Sequence, residues 1–209
     1  RALEAARSVA LCMFWGTELE GYTSSMLPDR LQTALLLSPS NIRQRTSTKT
    51  YDHRFDEEVI ALHRDKDAAY GDSWCKRGEK FSILPNIARK VDRLSSGKDT
   101  DDETQLDTAI DLYVYLAKYS CWLDGRSPSP IEDVEKLIRS DQKLLIPAVE
   151  VPQAVAGLEN RFGHILDRVE QSPKSDYPSS VARLRTLAGN LAYTRWFQQG
   201  SVNTEQANQ

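Results

Sequence analysis

Apolar positions recur three or four residues apart through most of the chain, the spacing that lines one face of an α-helix. Glu103 to Lys118 is the most apolar stretch with this pattern. Phe55 to Ala69 predicts a helix that stops at Tyr70-Gly71, where glycine can take the left-handed conformation of a helix end. Pro85 suits the first turn of a helix running through Arg93 or Leu94. Gly125 and the prolines at 128 and 130 end the apolar helix, and Ile131 to Leu145 predicts a short one. Val155, Leu158, Phe162, Leu166 and Val169, then Val181, Leu184, Leu187 and Leu191, predict two amphipathic helices in an antiparallel hairpin.

Towards the N-terminus, Ala2 to about Glu20 has a helical distribution of charge, although Val9–Trp15 alone fits a short strand. Leu31 to Leu37 is a second short segment, and residues 38–50 are a polar loop. No strand is expected beyond that alternative, and no internal repeat is visible. The fold class expected is all-α, with a helical-bundle core. The parts expected are an N-terminal helical segment (1–50, a possible remnant of a preceding domain), a helical core (51–146), a C-terminal hairpin (147–198) and a disordered tail (199–209).

Composition excludes little beyond this. The 209 residues suffice for one domain or two small ones, and 27% charged with 40% hydrophobic residues is ordinary for a globular protein. The net charge of −3 gives no global reason for direct nucleic-acid binding or attraction to anionic membranes. Cys12, Cys75 and Cys121 form no CxxC or Cys/His cluster, which points to reduced thiols in a cytoplasmic protein. Val9–Trp15 is too short to span a bilayer, and no signal peptide is read. The start at Arg1 suggests a processed chain or one cut from a longer polypeptide.

Candidate chemistry gathers in three segments. Asp107 and Asp111 lie one turn apart on one face of the apolar helix. Carboxylates beside a largely buried surface are costly unless something positive meets them. That partner is a hard cation such as Mg²⁺, completed by water and phosphate oxygens, or a basic side chain, with Lys90 or Arg93 the natural mate of Asp111. Around Lys66 to Gly78, Tyr70 and Trp74 sit among Lys66, Lys76, Arg77 and Lys80; aromatics beside cations can stack a base and meet phosphate. The plainer reading is a hydrophobic anchor with a solvated basic rim. On Ile83–Leu94, Asn86, Arg89, Lys90 and Arg93 form a polar stripe opposite Ile83, Ile87, Val91 and Leu94, which is also what a plain amphipathic helix presents. His53, His63 and His164 lack metal spacing and are read as surface or packing residues. No nucleophile elbow or phosphate-binding glycine loop occurs, and Cys75 has electropositive neighbours but no base.

The order Lys-Asp-x-x-Tyr-Gly-x-Ser-Trp from Lys66, Asn-x-x-x-Lys-x-x-Arg from Asn86, and Asp-x-x-x-Asp-Leu-x-x-Tyr from Asp107 resembles the nucleotide-modification-associated domain family. More distantly it resembles the MazG-like all-α nucleoside triphosphate pyrophosphatases. The resemblance covers roughly Phe55 to Leu123. It implies a helical dimer or tetramer binding a nucleoside triphosphate, with Mg²⁺ bridging acidic side chains and phosphates and water cleaving between the α and β phosphates. Carried onto this sequence, Asp107 and Asp111 would hold the metal. Tyr70, Trp74 and Arg77 would approach the nucleotide, and Lys90 and Arg93 would meet phosphate, Lys90 also neutralising charge during turnover. The chain departs from the MazG-like pattern where a second Glu-x-x-Glu pair belongs, offering Asn86, Arg89 and Lys90 instead; Glu57, Glu58 or Asp72 could supply a third ligand.

The first expectation is therefore a Mg²⁺-dependent nucleoside triphosphate pyrophosphohydrolase, releasing a monophosphate and pyrophosphate. The alternative is a non-hydrolytic nucleotide-binding or regulatory module, acting through oligomerisation or a protein partner, in which Lys90 and Arg93 neutralise the aspartates directly. A blander third possibility is a structural helical domain assembling through residues 147–198.

Overall fold

A computed structural model describes residues 51–97, 104–126, 129–171 and 177–206, with side chains as far as Gly200. The segments expected before residue 51 lie outside the described residues, as does Cys12. The chain divides into Arg1–Tyr51 and Asp52–Gln209, and the described elements belong to the second unit. Among the described residues there are helices and turns and no strand, so the unit is all-α.

Helix α1, Arg54–Tyr70, ends at Gly71, whose φ of 51° is the positive value glycine tolerates. A 3₁₀ turn, Gly71–Trp74, follows, and then a π-helical turn, Glu79–Ile83, that runs straight into α2, Leu84–Ser96. The wide turn has a local cause. Pro85 has no N–H to continue an ordinary helical ladder, and the Leu84 N–H reaches back to the Glu79 carbonyl. Glu79 is itself anchored, accepting hydrogen bonds from the hydroxyls of Tyr119 and Tyr177, the latter at 3.1 Å. α2 closes at Gly97, φ 66°.

Helix α3, Gln105–Leu123, starts with a capping box: the Thr104 hydroxyl oxygen accepts from the Asp107 N–H, and the Asp107 carboxylate accepts from the Thr104 N–H. The remaining helices are α4, Ile131–Ser140, α5, Val151–Gln171, and α6, Pro178–Gln206, with a 3₁₀ turn at Ala148–Glu150. α3 is the hub. It packs most extensively on α6 and also on α2, α4 and α1, while α5 rests on α2 and α6. Its Ala109, Leu112, Tyr113, Leu116, Ala117, Tyr119 and Cys121 are wholly buried. The α3–α6 approach is close because α6 carries Gly189, where a Cβ would lie 3.0 Å from the Tyr113 ring. The Tyr113 hydroxyl donates to Asp141 at 3.0 Å, and Arg185 of α6 grips the same carboxylate at 2.8 and 2.9 Å.

Some elements differ from the sequence expectation. α4 stops at Ser140, short of Leu145, because the chain beyond it is held extended. Lys143 pairs with buried Asp56 at 2.6 Å, and the N–H groups of Leu144 and Ile146 donate to the side chains of Asn190 and Thr194 on α6. On α5 the buried stripe is Ala154, Leu158, Phe162 and Ile165; Leu166, expected inside, is 39% exposed. The tail expected from residue 199 is helical backbone as far as Gln206, and 207–209 lie outside the described residues. Among the described residues no helix is long and apolar enough to cross a membrane.

Candidate functional site

α1, α2 and α3 enclose a cleft of about 460 Å³, a size that suits small-molecule ligands. α1 contributes Leu62, His63, Lys66 and Tyr70; the turn after it contributes Gly71, Ser73 and Trp74. α2 adds Asn86, Arg89 and Lys90, and α3 adds Asp111, Val114, Tyr115 and Lys118. Each set follows helical spacing: Lys66 and Tyr70 stand four apart, as do Asn86 and Lys90, and Asp111, Tyr115 and Lys118 share one face of α3.

Asp111 lies at the centre. One carboxylate oxygen accepts from Lys90 Nζ at 2.8 Å and the other from Lys66 Nζ. These lysines differ in setting, since the Lys90 side chain is 6% exposed and that of Lys66 42%. Lys118 is paired with Asp67 at 2.6 Å and sits 5.5 Å from the Trp74 ring centroid, a cation–π contact. Arg89 is exposed and reaches the Asn86 side-chain oxygen at 3.4 Å, a neutral partner. The cleft thus holds more positive than negative charge, although the whole chain is acidic.

Two neutral titratable groups complete its walls. His63 is almost fully buried, and burial, reinforced by the Lys118 charge, lowers its pKa to about 4. Its Nε2 is buried without a hydrogen-bond partner. Tyr115 is pushed up by burial and then by the Asp111 charge, so its phenol stays protonated. Tyr70 stands at the rim, 72% exposed.

The structure brings together Asp111, Lys90, Tyr70 and Trp74 from the residues singled out in the sequence. It sets Asp107, Arg77 and Arg93 outside the cleft lining. Asp107 is turned back to cap its own helix, accepting from the Thr104 hydroxyl at 2.8 Å. Arg77 is exposed on the turn, where its N–H donates to Ser82. Arg93 is half-buried, one turn beyond Lys90, and its carbonyl accepts from Gln105. Trp74 lines the cleft but is only 4% exposed, with Lys118 over its ring. Glu57 pairs with Arg139, and Glu58 accepts from the Trp196 indole, so neither they nor Asp72 line the cleft.

Of the two basic mates the sequence offered Asp111, Lys90 and Arg93, the structure uses Lys90; Lys66 as a second partner was not expected, and Tyr115, although it ends the motif that starts at Asp107, and Lys118 were given no role. Their signal was present: Tyr115 and Lys118 continue the Asp111 face of α3 at helical spacing.

The donor set does not by itself make a magnesium shell. Asp111 is the only carboxylate lining the cleft among the described residues, and a metal there would displace lysines from both its oxygens. Among the described residues no group of three or more His, Cys, Asp or Glu side chains is placed to hold a metal ion.

The fold and site define an all-α unit with a basic, aromatic-walled cleft. No protein-family model and no solved structure matches the chain. It is 47% identical over 38 residues to the Gene 30 protein of Bacillus phage SP01. That stretch covers 18% of this chain and 17% of the phage protein.

Proposed function

We propose that this unit binds a nucleotide in the α1–α2–α3 cleft and does not hydrolyse it. The observation that carries this reading is a local excess of cations beside aromatic side chains: Lys66 and Arg89 stand with Tyr70 and Tyr115 around a single carboxylate. Cations meet phosphate oxygens, and tyrosine faces stack a base. Hydrolysis between phosphates needs a group that generates hydroxide, usually a metal ion. Asp111 is bound by lysines, and buried His63 is poorly placed to take a proton from water. A ligand held this way would regulate the protein or be carried by it.

Thermal unfolding with a panel of nucleotides, in EDTA and then in Mg²⁺, tests the reading. A ligand at a hundred times its dissociation constant adds about 2.7 kcal/mol of stability. Stabilisation that persists in EDTA, with no pyrophosphate or phosphate released, is the expected result. Stabilisation that appears only with Mg²⁺ and is followed by pyrophosphate release would replace this reading with the pyrophosphohydrolase expected from the sequence. No shift with any nucleotide would remove nucleotide binding altogether.

A further inference from the structure

We infer that the cleft selects a phosphate monoester dianion, a nucleoside monophosphate, over the corresponding triphosphate, and that Lys66 and Arg89 are the side chains that meet the phosphate. This rests on the nucleotide reading above and narrows it to one ligand class.

The cations of the cleft fall into two kinds. Lys90 and Lys118 are buried and committed: one holds Asp111 at 2.8 Å, the other holds Asp67 at 2.6 Å and covers Trp74. Their side chains are only 6% and 10% exposed, and moving either away breaks a buried ion pair. Lys66 and Arg89 carry no such obligation. The negative charge of Asp111 is already met by Lys90, so Lys66, 42% exposed, can swing to a ligand without leaving Asp111 alone. Arg89 is exposed, its recorded contact is the neutral Asn86 amide at 3.4 Å, and its planar guanidinium matches a phosphate in two-point fashion.

The positive charge available to a ligand is therefore that of one lysine and one arginine. A phosphate monoester carries about −1.5 to −2 at pH 7, which these side chains balance. A triphosphate brings two more ionised phosphoryl groups. They require further cations or a metal ion, and in a confined cleft uncompensated like charges repel one another. Asp111, held by lysines, offers a metal little. Tyr70 at the rim and Tyr115 on the wall then lie where the nucleoside end of a monophosphate can rest.

Isothermal titration in EDTA tests this, using the nucleoside, mono-, di- and triphosphate of each common base on the full chain. The expected result is at least tenfold tighter binding of a monophosphate than of its nucleoside or its triphosphate. Lys66→Ala and Arg89→Ala should each weaken the monophosphate at least tenfold while changing nucleoside affinity less than twofold. A triphosphate that binds as tightly as its monophosphate in EDTA overturns the inference and leaves nucleotide binding standing. Binding of inorganic phosphate or ribose 5-phosphate at the affinity of every monophosphate overturns the nucleotide reading itself, because the base then adds nothing.

Discussion

Asp111→Asn is the most informative single change in the cleft, because it removes one charge and almost no volume. In the folded unit the Asp111 carboxylate compensates Lys90, whose side chain is 6% exposed, at 2.8 Å. Losing the carboxylate leaves a buried ammonium facing an amide, a change that typically costs about 3–5 kcal/mol. The Lys66 side of the pair adds little, since that side chain is 42% exposed and water can take over; exposed pairs are worth about 0–1 kcal/mol. Lys90→Met should behave differently. It takes away the buried charge while Asp111 keeps Lys66, so the loss should stay below about 2 kcal/mol. The double variant should recover most of what Asp111→Asn loses, which isolates the coupling between the two residues. Urea unfolding at pH 7 and low salt reads all of this. With a slope of about 2 kcal/mol per molar, the Asp111→Asn midpoint should fall by about 1.5–2.5 M. A metal-ligand aspartate behaves in the opposite way, since removing its charge leaves the metal-free protein unchanged or more stable. A midpoint within about 0.25 M of the parent chain would therefore refute the ion-pair account and restore the metal-site one.

Gly189→Ala and Gly163→Ala should move stability in opposite directions, although both sit inside helices. At Gly163 no side-chain neighbour lies within 4 Å of an added Cβ, so alanine should gain about 0.5–1 kcal/mol; at Gly189 the added carbon would lie 3.0 Å from the wholly buried Tyr113 ring and the overpacking cost of about 1–3 kcal/mol should win. Calorimetric melting midpoints check this, and equal stabilisation by both would mean that the α3–α6 approach is looser than described. His63 should make the unit acid-sensitive. Its folded pKa of about 4 lies below the ordinary 6.5, so the unfolded chain binds the proton first and stability is lost as pH falls from about 6.5 towards 4, by up to about 3 kcal/mol. Unfolding titrations from pH 7 to 4 on the parent and on His63→Gln should show this slope in the parent alone; parallel curves would sink it.

The all-α class and the site of each cleft helix were legible because they depend on local signals: period, Pro85 and Gly71. The extended chain after Ser140 was not, because it is set by Asn190 and Thr194 on a helix some fifty residues away, which take the backbone N–H groups that would otherwise sustain α4. The stripe on α5 keeps Leu158 and Phe162 but takes Ala154 and Ile165 in place of Val155 and Leu166, for a related reason. Val155, Leu158, Phe162, Leu166 and Val169 satisfy the helical period as well as Ala154, Leu158, Phe162 and Ile165 do, and only the packing against α2 and α6 chooses between them.

The aspartates show how far spacing alone carries a chemical reading. Residues at i and i+4 share a face, but a side chain also answers to its nearest unmet backbone group. Asp107 stands at the third position of α3, where a free N–H of Thr104 lies within reach, and it caps the helix. One turn further in, Asp111 lies beyond the first turn, where the unpaired N–H groups of a helix are found, and its carboxylate meets the lysines across the cleft instead. The same residue type thus takes up a structural task at a helix end and an electrostatic one in its middle. That division converts an apparent acidic pair into a single carboxylate among cations, the arrangement on which the proposed nucleotide binding rests.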